Sequence, residues 1–231
     1  MGRKKVETKG REVGRRRAKV LIVDDHPAIR EALAIRIART PDLEVCGEAE
    51  DLAGALRLVS AEEPDVAIVD ISLKSGDGID LIKHIRARRS RVRMLVWSMH
   101  GEAIYAERAL RAGAHGYITK EQATDQIVDA VRQILSDQVY LSPTMTNTLL
   151  HRAVGAGGQP MKAAPLDVLS DRELEILRRI GQGQKTRAIA EELHLSVKTI
   201  ETYRDRLRQK LDLRDGSELV RYALHWLLDH G

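Results

Sequence analysis

Three aspartates stand at the ends of two short aliphatic segments. The segment 20–25 reads V-L-I-V-D-D and ends in Asp24 and Asp25, and the segment 66–70 reads V-A-I-V-D and ends in Asp70. A continuous run of Val, Ile and Leu is typical of a parallel strand that is buried on both faces. Ligands of open α/β sheets bind just beyond the carboxyl ends of such strands, so we expect the three carboxylates to converge there.

Three carboxylates at one place need a compensating charge, because like charges raise one another's pKa. A hard divalent cation that prefers oxygen ligands would supply that charge, and Mg²⁺ is the natural candidate. We therefore expect a magnesium site at this sheet edge. The alternative is that these acids are solvated strand ends or helix caps, since Asp commonly caps a helix.

Two further apolar segments add a hydroxyl and an ammonium group. Segment 92–98 (V-R-M-L-V-W-S) ends in Ser98, and segment 115–120 (H-G-Y-I-T-K) ends in Lys120. Segment 43–48 (L-E-V-C-G-E) is a further predicted strand. Helical patterns separate these five segments, and this alternation predicts a five-stranded parallel, doubly wound sheet whose carboxyl ends share one edge. Such a set suits the transfer of a phosphoryl group to an Asp nucleophile, because Lys and Mg²⁺ neutralise phosphoryl oxygens.

The order and spacing of these residues are similar to those of response-regulator receiver domains. The matching residues are Asp24, Asp25, Asp70, Ser98 and Lys120. The resemblance covers residues 18–138 and implies a flavodoxin-like α/β fold in which Asp70 is the phosphoacceptor.

The same resemblance assigns a role to each site residue. It implies that Asp25, Asp70 and the backbone carbonyl of Ser72 bind Mg²⁺, and that Asp24 acts through a water molecule. Lys120 would pair with the phosphoryl group. Ser98 and Tyr117 match the family's switch pair, in which Tyr117 moves inward as Ser98 moves toward the phosphoryl group.

The loop after the acceptor departs from the family's pattern at one position. Gly78 matches the second Gly of that loop, but Lys74 stands where the family often has Pro. We expect Lys74 to alter the stiffness of the loop or the lifetime of the phosphoryl group, and not the core chemistry.

Residues 167–231 contain no strand-like segment and predict four helices. A capping box begins the first helix at Ser170, and Gly181 marks its end. The second and third helices, 186–193 and 197–211, are joined by a tight turn and fit a helix-turn-helix. The polar face of the third helix could read the major groove of DNA. The alternative is an ordinary all-α four-helix bundle with a solvated, charged face.

Region 169–228 resembles the LuxR-type helix-turn-helix, through Leu169-Ser170, Gly181-Gln182-Gly183 and the segment Ser196-Val197-Lys198-Thr199-Ile200-Glu201 among others. The resemblance implies contacts with DNA phosphates from Lys198, Thr199, Tyr203, Arg206 and Lys210. It places base-reading residues at Glu201, Thr202 and Asp205. For Glu201 an internal ion pair is the alternative.

Charge and composition divide the chain further. The first 19 residues hold nine Lys or Arg and two acids, and a Gly-rich stretch follows residue 154. We predict a disordered basic tail (1–18), a receiver domain (19–140), a linker that begins with a short helix (141–166) and a DNA-binding domain (167–231). The tail could add non-specific affinity for nucleic acid, or it could be a solvated extension.

The chain contains no apolar run of about 20 residues, as a membrane span requires, and no apolar segment of a signal peptide. We therefore expect a cytoplasmic protein with no membrane contact.

Together the two regions resemble the NarL/FixJ family of two-component regulators. The resemblance implies a transcription regulator, not an enzyme, that a sensor histidine kinase phosphorylates on Asp70 and that binds double-stranded DNA as a homodimer, with RNA polymerase as a further partner. The last helix offers the dimer face or part of the core: Leu219, Val220, Leu224, Trp226, Leu227 and Leu228.

Three other functions are alternatives to this one. A phosphatase with an aspartyl nucleophile would need a D-x-D pattern and a substrate cap, and neither is visible. A receiver that signals only to protein partners does not explain the predicted recognition helix. A phosphorylation-independent regulator that uses the receiver as a dimerisation scaffold is the main alternative, although it does not explain the complete set of site residues.

Overall fold

The computed structural model describes residues 16–73, 76–88, 90–121, 124–155 and 168–230. The predicted basic tail up to residue 15, Lys74 and the Gly-rich part of the predicted linker lie outside these residues. No helix in the described part of the chain is both long and apolar enough to cross a bilayer.

The N-terminal half is built on a parallel sheet with the strand order β2-β1-β3-β4-β5. Its strands are β1 (Ala18–Val23), β2 (Leu43–Ala49), β3 (Val66–Val69), β4 (Arg93–Ser98) and β5 (Gly116–Thr119). All four residues of the central strand β3 are buried, because helices cover both faces of the sheet. The predicted five-stranded doubly wound sheet is confirmed.

The helices that cover the sheet are α1 (Pro27–Ala38), α2 (Leu52–Glu62), α3 (Gly78–Ala87), α4 (Glu102–Ala112) and α5 (Thr124–Leu135). Their first residues follow local chemistry. Pro27 begins α1 at a position where no backbone N–H is needed, and the carboxylates of Asp51 and Asp77 cap α2 and α3 by accepting from Gly54 N and Ile79 N.

The C-terminal part is all-α. Helix α6 (Pro143–Gly155) matches the short helix predicted at the start of the linker. It packs against α4, with Met145 buried. The remaining helices are α7 (Asp171–Gly181), α8 (Thr186–Glu192), α9 (Val197–Lys210) and α10 (Gly216–His230). The predicted capping box at Ser170 and Glu173 begins α7.

The helix-turn-helix consists of α8 and α9. His194 takes a positive φ of 53° in the turn between them. Ser196 then caps α9 by accepting a hydrogen bond from Thr199 N. The apolar faces of α7, α9 and α10 meet in a core that includes Ile176, Leu207 and Leu219. The predicted helix-turn-helix is therefore confirmed.

Candidate functional site

Backbone pairing continues past the strands and fixes where the site residues emerge. Asp70 N donates to Val23 O at 2.8 Å, and Lys120 N donates to Ser98 O at 2.8 Å. Asp24 follows β1 in the same way as Asp70 follows β3. The acids, the hydroxyl and the lysine predicted from separate segments thus meet at one sheet edge.

Lys120 is the electrostatic centre of this edge. Its Nζ lies 2.6 Å from Asp24 Oδ2 and 2.6 Å from Asp70 Oδ2. All three side chains are at most 4% exposed, so water screens this cluster little. The ammonium group also lies over the ring of Trp97, 5.5 Å from its centroid.

Burial sets the titration of this cluster. It raises the pKa of Asp70, the neighbouring Asp24 raises it further, and Lys120 and the Ser98 hydroxyl act in the opposite direction. Burial lowers the pKa of Lys120, but the two carboxylates outweigh it and leave this pKa above its ordinary value. Lys120 is therefore an ammonium at neutral pH.

The acids are placed to hold a cation. Asp24, Asp25, His26 and Asp70 each offer a ligand atom, and these atoms all lie within 4.8 Å of one another. Asp70 Oδ1 is buried and has no hydrogen-bond partner among the described residues. Carboxylate oxygens with one unsatisfied position suit Mg²⁺.

His26 was missed by the reasoning from sequence. Its Nδ1 lies 2.7 Å from Asp25 Oδ1 and 3.3 Å from Asp24 Oδ1. The available signal was its position, because it directly follows the acidic pair.

The switch pair differs from the expected starting arrangement. Tyr117 was predicted to move inward on phosphorylation, but its side chain is already fully buried in this structure. Its hydroxyl donates to the backbone carbonyl of His100 at 2.8 Å. Ser98 is also buried. Burial raises the pKa of both Asp70 and Tyr117, and the nearby Ser98 hydroxyl only partly opposes this rise.

Beside the site lies His100, a residue that the sequence did not single out, and both His100 and Glu175 of α7 approach Ser72. The Ser72 hydroxyl lies 2.8 Å from His100 Nε2 and 3.3 Å from Glu175 Oε1. The role predicted for Ser72 concerns only its backbone carbonyl. Burial lowers the pKa of His100 to about 4, so its ring is neutral at physiological pH.

The two halves of the chain meet where α7 begins. Arg108 on α4 donates to Asp171 Oδ1 at 2.6 Å and to Leu169 O at 2.5 Å. Lys83 on α3 lies 3.7 Å from Asp171 Oδ2. Asp171 is itself buried, so these cations compensate a carboxylate that the contact removes from water.

Asp77 is a second acid at this contact. Burial, followed by the charge of Asp171, raises the pKa of Asp77 to about 7. Because the pKa of Asp77 is higher in the folded than in the unfolded protein, the folded protein binds more protons at pH values between these two pKa values. Stability should therefore fall as pH rises from about 4 to about 7.

We expect Asp77→Asn to reduce this pH dependence. Asn caps a helix as well as Asp does, so the start of α3 should remain intact while the charge disappears. Melting temperature measured between about pH 5 and pH 8 should fall less with rising pH in the variant than in the wild type. Asp51→Asn, at the equivalent cap of α2, is the matched control and should keep the wild-type slope. Parallel curves for the wild type and Asp77→Asn would contradict the assignment.

The predicted DNA-binding residues all lie on α9: Lys198, Thr199, Glu201, Thr202, Tyr203, Asp205, Arg206 and Lys210. Lys198, Thr202 and Arg206 are exposed and, with Thr199 and Tyr203, line a shallow cavity of about 280 Å³. The Arg206 guanidinium lies 5.8 Å from the centroid of the Tyr203 ring. This face carries cations and hydroxyls suited to a DNA backbone.

Several other residues of that set have partners within the protein. Lys210 Nζ lies 2.7 Å from the buried carboxylate of Glu173, so it ties α9 to the start of α7. Asp205 pairs with Arg208 at 2.8 Å. Glu201 lies 3.9 Å from Arg204, which agrees with the internal pair considered as an alternative.

The residues of α10 that were proposed for a dimer face fall into a buried group and an exposed group. Leu219 and Trp226 are buried in the core of the C-terminal helices, and Leu227 is partly buried. The exposed residues are Val220 (42%), Leu224 (48%) and Leu228 (74%). Their spacing of four residues places them on one face of the helix.

Two protein-family models match the chain. One, described as a response regulator receiver domain, covers residues 20–132, and the other, described as bacterial regulatory proteins of the luxR family, covers residues 167–223.

Curated relatives match nearly the full length of this chain. The oxygen regulatory protein NreC of Staphylococcus carnosus is 36% identical over 209 residues, which cover 89% of this chain and 96% of that protein. The probable transcriptional regulatory protein NarL of Mycobacterium tuberculosis is 34% identical over 209 residues, with coverage of 90% and 94%.

A solved structure is also similar. It is RcsB from Salmonella enterica serovar Typhimurium, bound to promoter rprA in the presence of the phosphomimetic BeF3-. It is 25% identical, with a TM-score of 0.57 and coverage of 90% of this chain and 98% of that one.

Proposed function

The chain belongs to the NarL/FixJ family of two-component response regulators, and from this membership we propose that phosphorylation of Asp70 controls its binding to DNA. The receiver and LuxR-type regions make it a DNA-binding transcription regulator. The observation that carries the proposal is the buried cluster in which Lys120 joins Asp24 and Asp70, while Asp70 Oδ1 has no hydrogen-bond partner in the part of the chain that the structure describes.

The geometry supports a transfer to Asp70. Oδ1 attacks the phosphorus of the phosphodonor while the bond from phosphorus to the leaving nitrogen of a phosphohistidine, or to an acyl oxygen, breaks. The electron pair stays with the leaving group, which takes up a proton where its basicity requires one. Lys120 stabilises the phosphoryl oxygens and holds Asp70 Oδ2, which leaves Oδ1 as the nucleophile.

The acids provide the place for a metal ion. Asp25, Asp70 and the Ser72 carbonyl would hold Mg²⁺, with Asp24 acting through a water molecule. A bound Mg²⁺ neutralises carboxylate and phosphoryl oxygens.

The output of the switch is assigned to the C-terminal helices. The phosphoryl group would engage Ser98, and Tyr117 would be retained inward. A population shift follows in which dimers form through Val220, Leu224 and Leu228 and bind two half-sites of double-stranded DNA. We assign these functions to the domains predicted from sequence: receiver 19–140, linker 141–166 and DNA-binding domain 167–231.

The partners follow from these roles. A sensor histidine kinase supplies the phosphoryl group, and RNA polymerase is the partner of the DNA-bound form. Both the kinase's catalytic region and the promoter are in the cytoplasm, so we place the protein there. It acts by binding and not as an enzyme on separate substrates.

The first experiment identifies the acceptor. Incubation of the full chain with acetyl phosphate and Mg²⁺ should add the mass of one phosphoryl group, and peptide mapping should place it on Asp70. Asp70→Asn should acquire no such mass. A phosphoryl group on another residue, or none, would contradict the assignment.

We expect Lys198→Ala to weaken DNA binding about equally for all sequences. A lysine that contacts a phosphate contributes counterion release, so the slope of log affinity against log salt should fall by about 1. Fluorescence anisotropy with specific and scrambled duplexes over a range of salt concentrations measures both effects. Arg187→Ala on α8, which removes an 84% exposed cation, should change the slope less. Equal slopes for Lys198→Ala and the wild type would exclude the phosphate contact.

A further inference from the structure

His100, in the middle of the β4–α4 loop, connects the two halves of the chain. Its side chain is 5% exposed. Its Nε2 lies 2.8 Å from Ser72 Oγ on the receiver side, and its Nδ1 lies 3.2 Å from Arg178 Nη1 on α7. The ring also packs on Tyr105, with 4.7 Å between ring centroids.

The chemistry of these partners gives each hydrogen bond one direction. A guanidinium group can only donate, so Arg178 donates and Nδ1 of His100 accepts. The ring proton of a neutral imidazole is then on Nε2, which donates to Ser72 Oγ. The Ser72 hydroxyl in turn donates to Glu175 Oε1 at 3.3 Å. This chain of hydrogen bonds begins at Arg178 and ends at Glu175, both on α7.

The backbone of the same residue is tied to the switch pair. The Tyr117 hydroxyl donates to His100 O at 2.8 Å, and His100 N donates to Ser98 Oγ at 3.3 Å. The conformation of residues 98–100 is thus held from inside by Tyr117 and from outside by Arg178.

We propose that α7 is a positioning element for the phosphorylation site: Arg178 positions His100, and His100 holds Ser98 and Tyr117 in their inward arrangement. The inference rests on the proposed function. It predicts positive coupling between the two halves, because docking of α7 on the receiver and phosphorylation of Asp70 then favour one another. Positive coupling is compatible with DNA binding, since Lys198, Thr202 and Arg206 of α9 are exposed while α7 contacts the receiver.

The test is the affinity of the full chain for beryllium trifluoride in saturating Mg²⁺, a probe that mimics the phosphoryl group on Asp70. Trp97, which packs on Lys120, reports binding through its fluorescence. Arg178→Met should weaken this affinity by roughly 5- to 150-fold, the range of ordinary coupling between sites. Arg187→Met on α8 is the matched control and should match the wild type.

A double-mutant cycle separates positioning from general damage. In a Tyr117→Phe background the His100 carbonyl has lost the hydrogen bond that links it to Tyr117, so Arg178→Met should have a much smaller effect there. Unchanged or tighter affinity in Arg178→Met overturns the inference, and tighter affinity would make α7 an inhibitory cover. Full additivity of the two substitutions also overturns it. A wild type that binds no beryllium trifluoride contradicts the proposed function itself, and the inference with it.

Discussion

Alanine at position 78 should destabilise the receiver by about 3 kcal/mol, at the upper end of overpacking costs. Gly78 begins α3 and donates its N–H to Ile71 O at 2.8 Å. A Cβ on Gly78 would overlap the carbonyl oxygen of Asp70 and lie 2.8 Å from its carbonyl carbon. These neighbours are backbone atoms that cannot rotate away, so relief would require the phosphoacceptor itself to move.

Urea denaturation followed by circular dichroism measures this loss. Gly101→Ala is the matched control, because a Cβ there meets nothing within 4 Å. It should cost less than about 1 kcal/mol. The Gly78 variant should also take up phosphoryl from acetyl phosphate more slowly. Equal stabilities of the two variants would show that the loop does not pack against Asp70 as described.

Replacing Lys120 by methionine should cost about 3 kcal/mol at about pH 8 without divalent cations, as expected when one partner of a buried ion pair is removed. Both carboxylates that face Lys120 are almost fully buried, at 3% and 4% exposure. Without the ammonium they must remain charged and unpaired or take up a proton.

The stability of Lys120→Met should therefore depend on pH. The pKa of Asp70 is already raised by burial, and loss of Lys120 raises it further, so the folded variant binds more protons than the unfolded chain. Its stability should therefore fall more steeply with rising pH than that of the wild type. Mg²⁺ should restore part of the loss, because it binds only the folded state.

Lys83→Met is the control for Lys120→Met. Lys83 is 54% exposed and pairs with Asp80 on the surface. It also lies 3.7 Å from the buried carboxylate of Asp171, but Asp171 keeps its closer ion pair with Arg108, so removal of Lys83 should cost at most about 1 kcal/mol. If Lys120→Met is as stable as Lys83→Met at about pH 8, the buried cluster does not carry the charge described.

The sheet edge and its acids could be predicted because they depend on local patterns. Short aliphatic strands that end in Asp24, Asp70 and Ser98 leave little choice of topology once the connections are right-handed crossovers. The ends of the helices followed from caps and prolines for the same reason.

The contact between the two halves could not be predicted in this way. His100, Asp171 and Glu175 are ordinary polar residues in the sequence, and only tertiary packing brings them together around Ser72 and α7. The inward position of Tyr117 is likewise a property of the packed loop, not of the residue type. On α9, sequence indicated a polar face, but it did not show that Lys210 pairs with Glu173.

The most direct test of the central claim is DNA affinity with and without phosphorylation. A duplex selected from random sequence is titrated with the full chain at one salt concentration, in Mg²⁺, with and without acetyl phosphate, and anisotropy reports binding. The account predicts that the phosphodonor tightens specific binding by roughly 10-fold or more in the wild type and leaves Asp70→Asn unchanged. Equal affinity of the wild type with and without the donor, or an equal gain in Asp70→Asn, would contradict it.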